Sequence, residues 1–112
     1  MPIDHWNEKV DGPLTEEAMR RKMEKMDCVV RRYVYPPGTH FPPHTHEMDK
    51  MDGVLSGLFR LEMDGQSLVL EAGDMLTIRR GELHSAEVVG NEAVVSLDGI
   101  IQECKANLAR QK

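Results

Sequence analysis

Between residues 13 and 27, "PLTEEAMRRKMEKMD", Met19, Met23 and Met26 recur at spacings of four and three among charged residues. That is the period of a helix with one apolar stripe. Thr15 is placed to cap it, and Glu16 and Glu17 fall in the first turn, where the helix dipole favours anions. The methionine stripe reads as packing against a sheet, because Met is a common gap filler. After residue 27 the period shortens. "CVVRRYVY" is β-branched and aromatic, as strands are, and "PPGT" is a turn. "GVLSGLFRLEM" reads as one alternating strand with Phe59, Leu61 and Met63 on one face. "DG" at 64 and 65 is a strong hairpin signal. "QSLVLEAG", "DMLTI", "HSAEVVG" and "EAVVSLD" follow as short strands divided by turns. Many short strands at regular spacing predict an all-β sandwich or barrel. The tail, "IIQECKANLARQK", reads as a short helix or a frayed end.

Composition narrows the partners. The chain has 112 residues, enough for one domain, with 40% apolar and 29% charged residues, the balance of a globular protein. A net charge of −5 argues against nucleic acid, which needs a basic face. No apolar run is long enough to span a membrane, and the first residues do not have a signal-peptide pattern. The expected location is cytoplasmic. Cys28 and Cys104 are then expected as free thiols.

Chemistry concentrates in "HTHEMDK". His44 and His46 are one residue apart, so an extended backbone turns both to one face. His84 opens a later strand straight after the tight turn "RRGEL", and in a barrel the two segments can converge. Three neutral imidazoles suit nitrogen-preferring transition metals better than magnesium or calcium. His40 is in phase with His44 and is a candidate for the same pocket. His5 is expected to be exposed, and Arg79 and Arg80 to form a solvated turn.

"GTHFPPHTHEMDKMDGVLSG" and "GDMLTIRRGELH" resemble the two motifs of the cupin superfamily. Gly38, five residues, then His44, Thr45 and His46 match the first, and Gly57 closes it. Gly73, Gly81 and His84 match the second, with Arg79 at its proline position and Val88 at its asparagine position. The resemblance spans about residues 29 to 98. It implies a small single-domain cupin β-barrel, a double-stranded β-helix or jelly roll. The helix would span about 13–27, the barrel 28–98 and the tail 99–112. It also implies metal ligands at His44, His46 and His84, and, with the small size of the domain, a homodimer. The expected cofactor is a divalent transition metal: zinc, iron, nickel, manganese, cobalt or copper.

One position departs from the motif in kind. Lys50 stands where the family places a ligating Glu. A protonated lysine has no lone pair to donate. At about 5 Å and an effective dielectric of about 20 it would repel a dication by roughly 6–7 kcal/mol. Three arrangements relieve this: Lys50 turns outward to pair with Asp49, Asp52 or Glu62; Lys50 is neutral; or the metal is absent and Lys50 anchors an anion. The outward pairing is the expected one. Asp49, one residue early, is a candidate to replace the missing Glu. Otherwise three histidines remain, with open positions of the kind catalytic metals keep. The functional readings are a metal-dependent enzyme (an oxygenase, isomerase or lyase) acting on a small molecule, a non-catalytic binding or sensor module, and a metal-free cupin binding an anion near Lys50.

Overall fold

A computed structural model describes residues 3–102; Cys104 and the tail from 103 onward lie outside the described residues. The helix is shorter than its methionine stripe suggests. After a two-residue strand β1 (Asp4–His5) and a single turn α1 (Glu8–Asp11), helix α2 runs Glu16–Glu24. The Thr15 side chain caps it by accepting from the Ala18 N–H at 3.0 Å. Met19 and Met23 are fully buried, whereas Met26 is 38% exposed. It lies past the helix end, beside Asp27 with φ 63°, so the expected third member of the stripe falls out of phase.

Eight further strands follow: β2 (Cys28–Tyr35), β3 (His40–His44), β4 (Lys50–Ser56), β5 (Leu58–Met63), β6 (Gln66–Leu70), β7 (Asp74–Ile78), β8 (His84–Val89) and β9 (Val94–Ile101). All pairs are antiparallel. They form a five-stranded sheet, β1-β7-β4-β9-β2, and a four-stranded sheet, β3-β8-β5-β6. This is the all-β double-sheet architecture that the resemblance implies. The last strand reaches Ile101, so the barrel extends beyond the expected boundary at 98. Among the described residues no helix is long and apolar enough to cross a membrane.

Two apolar clusters hold the layers. Val54, Phe59, Leu61, Leu70, Leu76, Ile78, Val88 and Val94 lie in the first, which draws on both sheets. Met19, Met23, Cys28, Met51, Met75 and Leu97 pack under α2 in the second. Glycines make room for the helix. A Cβ on Gly53 would come within 2.9 Å of the Met19 sulfur, and one on Gly99 within 2.9 Å of the Met23 methyl. Strand alternation then decides what faces the other way: Asp52 and Val54 on β4, and Val94 and Asp98 on β9, point between the sheets.

Two irregularities set the site. "GVLSGLFRLEM" is not one strand. Gly57, at φ 83° with the Ala93 carbonyl 2.5 Å from where a Cβ would sit, breaks it, and the chain passes from one sheet to the other. On β3 the register with β8 shifts between Phe41 and His44, across Pro42 and Pro43, which have no N–H to donate and are tolerated on an edge strand. The expected "DG" hairpin is present, with Asp64 and Gly65 both at positive φ and Met63 opposite Gln66.

Candidate metal centre

His44 ends β3 and His84 begins β8, and they face each other as cross-strand partners. His46 follows two residues later. One ring nitrogen from each of the three lies within 4.8 Å of the others. The sequence therefore names residues that the fold brings together from two segments some forty positions apart.

The rings are oriented by backbone carbonyls. His44 Nδ1–H donates to the Pro42 carbonyl at 2.7 Å, and His84 Nδ1–H to the Glu82 carbonyl at 2.9 Å. A neutral imidazole so held keeps its lone pair on Nε2, as metal-ligating histidines do. His44 Nε2 lies 3.1 Å from His46 Nε2. Two nitrogens each about 2.1 Å from a common ion would be separated by about 3.0 Å at a right angle and 3.4 Å in a tetrahedron. The His44–His46 spacing falls between these, so that pair of donors fits a divalent transition metal, with the His84 nitrogen within 4.8 Å of both. Burial, then the positive charge of Lys50 and the neighbouring histidines, holds His46 down at about 4. Burial also lowers His84. Both rings are thus kept in the neutral form that ligation requires.

Asp49 is not in this cluster. Its Oδ1 accepts the Arg80 N–H at 2.8 Å and lies 3.6 Å from the Arg80 guanidinium. The Gly81 N–H donates to the His46 carbonyl at 2.9 Å. These contacts fasten the segment carrying His46 to the turn that precedes His84. Asp49 therefore positions the histidine loop and does not replace the missing Glu. His40 is also outside. The bulge at Pro42 and Pro43 reverses the strand phase, so Phe41 lines the cavity with His44 while His40 is exposed beside Arg60 and Glu87.

Lys50 differs from the expected outward pairing. It lines one cavity of about 120 Å³ together with His44, His46, His84, Asp52, Asp98 and the rings of Tyr35, Phe41 and Phe59. None of the ion pairs among the described residues includes Lys50: Asp49 is held by Arg80, and Glu62 lies 4.0 Å from Arg60. The physical reason is the register. Lys50 is the first residue of β4, not a loop residue, and β4 pairs on both sides, with β7 and β9. Its side chain therefore follows the alternation that sends Asp52 between the sheets.

Sequence reasoning missed the acidic floor of the cavity as a site feature. Asp52 on β4 and Asp98 on β9 are direct cross-strand partners. Tyr35 Oη donates to Asp98 Oδ2 at 2.7 Å and Ser96 Oγ to Asp98 Oδ1 at 2.5 Å. Asp52 is 8% exposed. Burial first, then the charge of Asp98, pushes its carboxyl up to about 7, against the opposing effect of Lys50. The available signal was an acid two residues after Lys50, and hence on its face, in a strand otherwise free of polar side chains between Lys50 and Ser56. Tyr35, Phe41 and Phe59 close the apolar side, with Phe41 edge-on to both other rings and ring centroids 5.0–6.2 Å apart.

Comparison with known proteins agrees with this architecture. Residues 31–99 match the family model of the cupin domain. Among curated proteins, the nitrosourea synthase of Streptomyces achromogenes subsp. streptozoticus is 34% identical over 80 residues. That match covers 70% of this chain but 17% of the enzyme, so the chain corresponds to about a sixth of its length. Among solved structures, a predicted oxalate decarboxylase from Thermotoga maritima superposes with a TM-score of 0.61 at 27% identity, covering 90% of this chain and 79% of that one. KdgF from Halomonas sp. superposes with a TM-score of 0.59 at 23% identity, covering 69% and 72%.

Proposed function

The chain belongs to the cupin family, and on that premise we propose that His44, His46 and His84 hold a divalent transition metal at which a small oxygen-donor molecule binds. The observation that carries this reading is the three-histidine cluster, with two of its rings oriented by backbone carbonyls. A bound metal would supply Lewis acidity to the ligand. The protein's own residues do the rest. The carbonyls of Pro42 and Glu82 fix the two rings, Asp49 and Gly81 tie the loops that carry them, and the three aromatic rings restrict access of water. The cavity of about 120 Å³ is well below the ~300–1,000 Å³ of drug-sized sites, which favours a ligand of few atoms. The name of the Thermotoga relative refers to a small dicarboxylate, a compound class of that scale. We take the protein to be an enzyme of the oxygenase, isomerase or lyase type.

Lys50 supports a second reading, in which a metal-free cavity binds an anion. Charge favours the first. Lys50 shares its cavity with Asp52 and Asp98, and even one negative charge on that pair offsets the lysine. Without a metal the cavity has no surplus positive charge to attract an anion; with one it does. This also relieves the repulsion that Lys50 would otherwise exert on the ion. Elemental analysis of protein purified without added metal separates the two. Transition metal near one equivalent per chain supports the metal centre, and its absence together with anion binding lost in Lys50→Ala supports the alternative. The exposed edge of β2, where Val29, Tyr33 and Val34 are 41–50% accessible, supports a homodimer.

A further inference from the structure

The acidic floor of the cavity has a feature that the metal centre does not explain. Asp52 is 92% removed from solvent, at 8% exposure, and its carboxyl has no hydrogen-bond partner among the described residues. Among the described residues no side-chain oxygen or nitrogen that is wholly shut off from solvent lacks a partner, so the Asp52 carboxyl oxygens open onto the cavity they line. Directly across the sheet stands a second acid, Asp98. Side chains so paired have Cβ atoms about 4.5–5.5 Å apart. Two carboxylates at that range and burial do not both ionise readily.

The surrounding donors decide which acid keeps the proton. Asp98 accepts from Tyr35 on one carboxyl oxygen and from Ser96 on the other, so both of its oxygens already serve as acceptors. Asp52 accepts none. We propose that Asp52 and Asp98 share one proton, carried by Asp52, and that this proton is the hydrogen-bond donor and exchangeable acid presented to a small carboxylate in the cavity. The groups facing Asp52 there are Lys50 on its own strand, Asp98 on β9, Tyr35 on β2, His44 on β3, His46 just beyond it and His84 on β8. Only Asp52 among these is an acid with no internal partner. If the proton passes to a ligand oxygen, the Asp52 O–H bond breaks, an O–H bond forms on the ligand, and Asp52 is left as a carboxylate beside Lys50. The ligand part of the inference rests on the metal-centre reading; the shared proton does not. The direction in which burial and Asp98 shift the Asp52 carboxyl agrees with it.

The test uses the full chain as purified, with acetate as the probe. Infrared titration of the wild-type protein should show a protonated carboxyl band at pH 6 that disappears in Asp52→Asn. Calorimetry should show acetate affinity falling about tenfold per pH unit once the pair loses its proton, one proton being taken up per acetate bound. In Asp52→Asn that slope should vanish while metal content is unchanged. Absence of the carboxyl band from the wild type at pH 6 overturns the shared proton. A slope that survives in Asp52→Asn assigns the proton to metal-bound water and overturns the ligand role, as does failure of acetate to bind metal-loaded protein at any pH. If Asp52→Asn does not fold, Tyr35→Phe carries the test: losing a donor to Asp98 should raise the midpoint of the carboxyl band, and an unchanged midpoint overturns the pairing. The two readings fail separately. Wild-type protein with the band but without metal refutes the metal centre alone, whereas metal with a slope retained in Asp52→Asn refutes this inference alone.

Discussion

Replacing Asp52 by Asn should change how stability depends on pH, and the size of the change follows from burial. The Asp52 carboxyl is raised from 3.8 to about 7 in the folded protein, by burial first and by Asp98 second. A carboxyl raised on folding favours the native state while it is protonated. Its contribution is fully present below the unfolded value near 4 and is lost as pH rises toward 7. The gap of about 3 pH units, at about 1.4 kcal/mol each, corresponds to about 4 kcal/mol. His46 acts in the opposite sense over much of the same range. Held at about 4, it resists the proton that the unfolded chain takes up below about 6.5, so its contribution to stability falls as pH drops. In the wild-type protein the two effects partly cancel. In Asp52→Asn the histidine effect stands alone. Urea denaturation from pH 4 to pH 8, with a chelator present so that metal release adds no slope, should show Asp52→Asn gaining on the wild type by about 4 kcal/mol across the range. Parallel curves for the two proteins would refute the reasoning, because they would mean that Asp52 ionises in the folded chain as it does in the unfolded one.

Lys50→Glu should raise metal affinity by about tenfold or more, since it removes a positive charge from the cavity and adds the family's oxygen ligand; equal or lower affinity by competition with a chromophoric chelator would contradict that. Gly57→Ala should destabilise the protein by about 1–3 kcal/mol, because it combines φ 83° with a 2.5 Å approach to the Ala93 carbonyl; an unchanged melting temperature would contradict the assignment of Gly57 as the hinge between sheets. The exposed apolar edge of β2 predicts a dimer, and sedimentation as a monomer at micromolar concentration would remove it.

Much of the fold is visible in local chemistry. Thr15 caps the helix as its side chain and the following glutamates suggest, and the "DG" turn makes the hairpin it signals. The three histidines are legible because motif spacing ties them to one barrel. What was not legible depends on long-range register. Pro42 and Pro43 insert a bulge that counting by twos cannot anticipate, so His40 and Phe41 exchange faces. Gly57 looks like a small residue within a strand until the Ala93 carbonyl packs where its side chain would be. Lys50 lines the cavity although a lysine and a dication taken alone repel each other. The counter-charge comes from the Asp52–Asp98 pair, whose members lie forty-six positions apart in the chain, and only strand pairing brings Asp98 opposite Asp52. Asp49 stands close to the histidines in sequence, yet the turn at Arg80 claims its carboxylate.

The central claim is that His44, His46 and His84 together hold a metal ion. Elemental analysis of the wild-type protein and of His46→Ala, both purified without added metal, tests it most directly. Loss of one of three nitrogen donors, the one 3.1 Å from His44 Nε2, should leave His46→Ala nearly metal-free while the wild type carries close to one transition metal ion per chain. Equal metal in the two proteins, or none in either, would contradict the claim.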